Sequence, residues 1–347
     1  MIIKRSIHKD GNILPEAYNY LVNLPDKSSH HLEYGEFHPL DIYNSSIGRI
    51  IKAFSTLINE LKNVREAREI KVKNLDSILE SQKELLHSLH SHVDDCNKIL
   101  KITSPFENID QLNSNRKKQV TRSLHSWHLY FKNPYYKYFE EKTRKFRTFG
   151  KIVNKIKHHQ ARLRLISIEN LEYSLGYYVE GKITKDENVI VCPDLQIHPD
   201  FTAFSFSRDM ALNFYILYFI SYYLSKSLIK LNKKEYELSI PYSPCEATYT
   251  SDLKEIGKYI QDYNLNYFPD EYLKQVPLVS ISGSNDINLI LNLDENFLKA
   301  PDRSKLTVFF YQEGYSKVSH VIRPYVDFMS KKYNIENFKI ISDGEFV

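Results

Sequence analysis

The stretch DIYNSSIGRIIKAFSTLINEL, residues 41–61, decides the fold class. Its apolar residues Ile47, Ile50, Ile51, Phe54, Leu57, Ile58 and Leu61 recur at intervals of three and four, which on a helix of 3.6 residues per turn places them on one face. A strand would need alternation at two, so the spacing predicts an amphipathic helix starting near Asp41. Past the charged NVREAREIKVK, residues Leu75, Ile78, Leu79, Leu86, Leu89, Val93 and Leu100 repeat the pattern. Two long antiparallel helices, or one long helix broken near 63–72, both satisfy it. Either commits this half of the chain to helix-on-helix packing.

Toward the N-terminus the periodicity fades. Gly11, Pro15 and Pro25 punctuate the first 35 residues, which predicts an irregular lead-in with regular structure from near Pro39. Toward the C-terminus, TSPFENIDQLNSN (103–115) carries Pro105 and cap-type residues and reads as a connector. A helix is expected from about Arg116 to Tyr130. Asn133-Pro134 then marks a break, and Pro134 suits the first turn of a helix running to roughly Ile166, where a missing N–H costs little.

YYVEGKI and VIVC around the polar TKDEN predict a β-hairpin. MALNFYILYFISYYL (210–224) is apolar for about 15 residues, short of the roughly 20 that span a bilayer. It reads as the middle of a buried helix over 207–231, with Ser207 as a candidate N-cap. VPLVSIS, NLILNL, KLTVFFY and HVIRPYVDF then alternate as strands with helices near 251–263 and 322–333. The expected fold is mostly α: an irregular lead-in over 1–38, a helical bundle over 39–232 with a β-hairpin insertion near 177–193, and a smaller α+β C-terminal part over 233–347.

At 347 residues, with 42% hydrophobic and 26% charged, the chain can bury a substantial core, and wholesale disorder is excluded. Tyrosine (26) and phenylalanine (19) are abundant, whereas the 10 glycines are too few for a fold built on glycine-rich phosphate loops. Walker A, GxGxxG, GxSxG and HExxH motifs are absent, and the spacing of residues calls for no cofactor. The net charge of +4, from 47 basic and 43 acidic residues, does not by itself imply nucleic-acid binding. Cys96, Cys192 and Cys245 are odd in number and in no CxxC pattern, which excludes a zinc ribbon and a disulfide framework. With no secretory-type N-terminus, the expected location is the cytoplasm and no membrane partner is expected.

Local clustering carries more than net charge. In RTFGKIVNKIKHHQARLR (147–164), Phe149, Ile152, Ile156 and Leu163 share one helical face, while Arg147, Lys151, Asn154, His158 and Arg162 form a polar stripe opposite. His159 falls at the edge of the apolar face and reads as packing. The stripe offers cationic donors for phosphate, an imidazole for proton transfer and an amide to orient either. The plainer reading of the same stripe is a solvated basic face. YFKNPYYKYFEEKTRKFR (130–147) has the composition of a base-stacking strip, and also that of a core helix with a solvated side. ESQKELLHSLHSHVDDC (80–96) puts Glu84, His87, His90 and Asp94 along one flank, a minor alternative as a metal site.

RSLHSWH, from Arg122 to His128, has an arginine followed at six residues by a histidine. With the long antiparallel helices before it, this resembles the HEPN superfamily of helical bundles over about residues 40–230. The resemblance implies a metal-independent endoribonuclease acting as a toxin or antiviral defence effector. In it Arg122 would hold the scissile phosphate and His128 would perform acid/base work, in a site often shared across a homodimer. Under this reading the partner is RNA or another anionic ligand, held by Arg147, Lys151, Asn154, His158 and Arg162. A non-catalytic protein that binds a protein partner through its tyrosine-rich helices is the alternative.

Overall fold

The computed structural model describes residues 3–6, 13–66, 72–144, 147–170, 172–185, 188–238, 247–263, 267–274, 276–282, 286–292, 307–310, 325 and 339–342. The predicted helix pair is present as α2 (Pro39–Glu66) and α3 (Val72–Ile102). Ser46 meets His92 at 2.9 Å while Glu60 meets Ser77 at 2.6 Å, so the pair runs antiparallel. Their facing stripes bury Ile47, Ile50, Phe54, Leu57 and Leu61 against Ile78, Leu86, Leu89 and Val93. Each such side chain contributes about 1.5–3 kcal/mol by leaving water.

The lead-in is more regular than its punctuation suggests. It holds strand β1 (Ile3–Ser6) and helix α1 (Glu16–Val22), the latter fixed by tertiary contact: Ser221 Oγ accepts a hydrogen bond from Ala17 N at 2.9 Å. After the connector, the expected helix over 116–130 is two, α4 (Ser114–Thr121) and α5 (Leu124–Tyr130), because Ser123 turns extended and its hydroxyl caps the amide of Ser126. The expected helix over 134–166 also divides, into α6 (Pro134–Thr143), with Pro134 in its first turn, and α7 (Thr148–His159). It ends early because Gln160 takes the left-handed conformation (φ 52°), and strand β2 (Leu163–Asn170) follows.

Strands β3 (Glu172–Lys185) and β4 (Asn188–Pro193) form the predicted hairpin, followed by the short β5 (Phe204–Ser205). Helix α8 (Phe206–Glu235) is capped by Ser205 and not by Ser207, since Ser205 Oγ accepts from Arg208 N. Its apolar run is buried among α1, α3, α6 and α9 (Thr250–Asp262). The polar residues inside it are internal ties: Ser221 also meets Tyr43 at 2.7 Å, and Asn213 donates to Asp209 at 2.9 Å. No helix among the described residues is long and apolar enough to cross a membrane.

The C-terminal part adds β6 (Val276–Ser282), β7 (Asp286–Asn292), β8 (Thr307–Phe310) and β9 (Lys339–Ser342). One antiparallel sheet runs β1-β7-β6; the other runs β4-β3-β2-β8-β9, with β5 beside β3 and β8 parallel to β9. The hairpin thus forms one side of a larger sheet, which β8 joins along β2 through Ile166↔Phe310 to Glu169↔Thr307. Pairing crosses the boundary expected near 232 in both directions, since β1 lies on β7. The strand expected over HVIRPYVDF and the helix expected near 322–333 lie outside the described residues, apart from the buried Tyr325.

Candidate nucleic-acid interface

Helix α3 is the scaffold on which the candidate residues are arranged. His90 and Asn97 are seven residues apart, close to two full turns, so they point from the same flank about 10 Å apart along the axis. Helix α7 covers that flank at His90, where Gly150 brings the backbone so close that a Cβ there would lie 3.5 Å from His90 Nδ1. Helix α5 covers it at Asn97, whose carbonyl accepts a hydrogen bond from His128 Nε2 at 2.9 Å. Between them, Tyr136 of α6 stacks on His128 with ring centroids 4.1 Å apart and planes 1° from parallel.

Helix α7 is held on both sides. Phe149, Ile152 and Val153 are buried, Arg147 pairs with Glu140 of α6, and Lys155 Nζ reaches Asp194 Oδ2 at 2.9 Å. Asp194 is itself pinned: its amide donates to Val179 O, and Gly181 passes so close that a Cβ would fall 2.7 Å from Asp194 Cα. The ridge between these anchors carries Lys151, Asn154 and His158, continued by Arg162 after the turn, and all four are exposed. Among the described residues none of the four has an ion-pair partner. His159 is exposed too, contrary to the packing role its wheel position predicts, and it stands at the last position of the helix.

Arg147 does not share that freedom. Its pairing with Glu140 leaves the side chain 14% exposed and commits it to tying α6 to α7.

Arg122 and His128 stand in different environments. Arg122 is exposed at the end of α4, whereas His128 is 1% exposed beneath α5, its ring between Tyr136 and Trp127. A carbonyl only accepts, so His128 Nε2 carries the hydrogen, and burial pushes the imidazole down to about 4. A neutral ring under a helix can neither meet a phosphate nor exchange protons with a bound ligand. The spacing of Arg122 and His128 therefore does not become a shared cleft here, and the expected catalytic pairing is corrected: His128 is a packing residue.

The minor metal alternative also fails among the described residues, where no group of three or more His, Cys, Asp or Glu side chains is placed to hold a metal ion. Glu84 is exposed and lies 3.4 Å from the Ser88 hydroxyl, and His87, His90 and Asp94 face α7. What α7 brings to them is cationic: burial lowers both imidazoles, and the Lys157 ammonium pushes them in the same direction. Of the cysteines, Cys96 and Cys192 are free and buried, and Cys245 lies outside the described residues.

A signal missed by motif reading is present in the linear distribution of charge. Residues 111–168, which contain α4 to α7, hold fifteen Lys and Arg and only two acids, Glu140 and Glu141. That segment is +13 within a chain of +4, so the remainder is −9. Arg116, Lys118, Arg122, Lys132, Lys137, Lys142, Arg144, Lys151, Lys157 and Arg162 all stay exposed after folding. Comparison with family models, with curated proteins and with solved structures finds no match.

Proposed function

We propose that the protein binds RNA, through phosphate contacts made by Lys151, His158 and Arg162 on the α7 ridge, with Asn154 as a neutral hydrogen-bonding group among them. The observation that carries this reading is the segregation of charge. Cations that could have been interspersed with acids are concentrated on α4 to α7 and just beyond, and Lys151 and Arg162 form no ion pair among the described residues. A surface evolved only for solubility mixes the two signs, whereas a polyanion track separates them. The resemblance of the long helix pair and RSLHSWH to HEPN bundles, read from the sequence, is what points to RNA among polyanions. The reading is one of binding and does not use His128 for cleavage.

A mobility-shift assay in EDTA tests it. The wild-type chain should retard RNA and leave it intact, and Lys151→Glu with Arg162→Glu should weaken retention by about tenfold or more at moderate salt. Retention unchanged in that variant, or no retention by the wild type, contradicts the proposal. Cleavage in EDTA that disappears in a folded His128→Ala protein would contradict the non-catalytic part.

A further inference from the structure

We infer that α4 and the end of α5 form a second anchor for the same strand, so that the ligand is a phosphodiester chain long enough to touch both anchors; the inference rests on the RNA-binding reading above. Helix α4 is exposed along almost its whole length, with only Val120 buried. Its cations Arg116 and Lys118, with Arg122 just beyond, are exposed and without an ion pair among the described residues; Lys117 is held by Asp110.

This cluster is joined to the α7 ridge through α5 and α3. Helix α4 packs on α5, α5 sits on α3 at Asn97, and α7 sits on the same α3 flank at His90. The points on α3 that α5 and α7 cover are about 10 Å apart along its axis. At the α5 end, Leu129 is 60% exposed and is followed by the half-buried Phe131 and the exposed Lys132, which suits contact with a base or ribose beside the backbone. Two weak cationic anchors on one rigid scaffold act as a bivalent site, in which the second contact is intramolecular once the first has formed.

Fluorescence anisotropy on an RNA length series, from 3 to about 15 nucleotides, tests the inference on the full chain. Affinity should rise by about tenfold or more from the shortest to the longest oligomer, beyond the statistical gain in sites. Lys118→Glu with Arg122→Glu should remove that rise and leave the affinity for the shortest oligomer within about twofold of wild type, because only the ridge holds it. If this variant binds long RNA as tightly as wild type, the second anchor is wrong and the ridge stands. If the wild type binds no RNA of any length, the RNA-binding reading fails with it. Both substitutions fall on exposed positions, and a circular dichroism melt confirms that the variant is folded.

Discussion

His128 shows how a residue type can suggest chemistry that its surroundings withdraw. Its Nε2 is spent on Asn97 O and its ring on Tyr136. His128→Ala should therefore cost about 2–4 kcal/mol of stability at neutral pH, from the cavity and the lost hydrogen bond to Asn97 O. The pH dependence has a definite sign. The folded imidazole titrates near 4, below the ordinary value of about 6.5, so the unfolded chain binds the extra proton first. The contribution is complete above about pH 6.5 and is lost as pH falls toward 4. Denaturant titrations between pH 7 and 4 should show a shallower decline for His128→Ala than for wild type; parallel curves would contradict the buried, neutral ring. At Gln160 the left-handed backbone at φ 52° strains a residue with a Cβ. Gln160→Gly should stabilise the chain by about 0.5–1 kcal/mol in thermal melts, and destabilisation would contradict that turn geometry.

At the scale of elements, the sequence was most legible where one period repeats for many turns. The stripes of α2, α3 and α8 were readable because a long apolar face allows only one partner geometry, and VPLVSIS was readable as a strand because a compact run of β-branched residues is flanked by polar ones. Breaks were less legible. The periodicity of α7 continues through Leu163, and nothing in HHQAR announces that Gln160 turns the chain into β2, because the turn uses a glutamine in place of the usual glycine. Helix α1 escaped notice because its hold on the core comes from Ser221, 204 residues away. Glycines give a paired test of the sheet. A Cβ at Gly176 would lie 2.1 Å from Phe204 O and 2.5 Å from the Phe268 ring, so Gly176→Ala should cost about 3 kcal/mol by forcing β3 from β5. Gly48, exposed in α2 with open space around it, should gain about 1 kcal/mol as Ala. Equal effects in chemical denaturation would contradict the close approach at Gly176.

For the whole molecule, the fold turns a linear bias of charge into a surface. Net charge concealed the bias, since +4 averages a +13 segment with a −9 remainder. The candidate residues were visible in part: Lys151, Asn154 and His158 are exposed on α7, whereas Arg162 lies beyond the turn at Gln160, Arg147 is tied to Glu140, and Arg122 belongs with α4 and not with His128. Which histidine is exposed depends on how α5 lies over α3, a long-range fact that local spacing does not encode. The most direct test of a polyanion track is the salt dependence of RNA binding. The logarithm of the association constant should fall linearly with the logarithm of salt, with a slope of about −0.7 for each phosphate neutralised on a single strand. Removing Lys151 and Arg162 together by alanine should make that slope shallower by about 1.4. A wild-type slope near zero, or a slope unchanged in the double variant, would contradict the account.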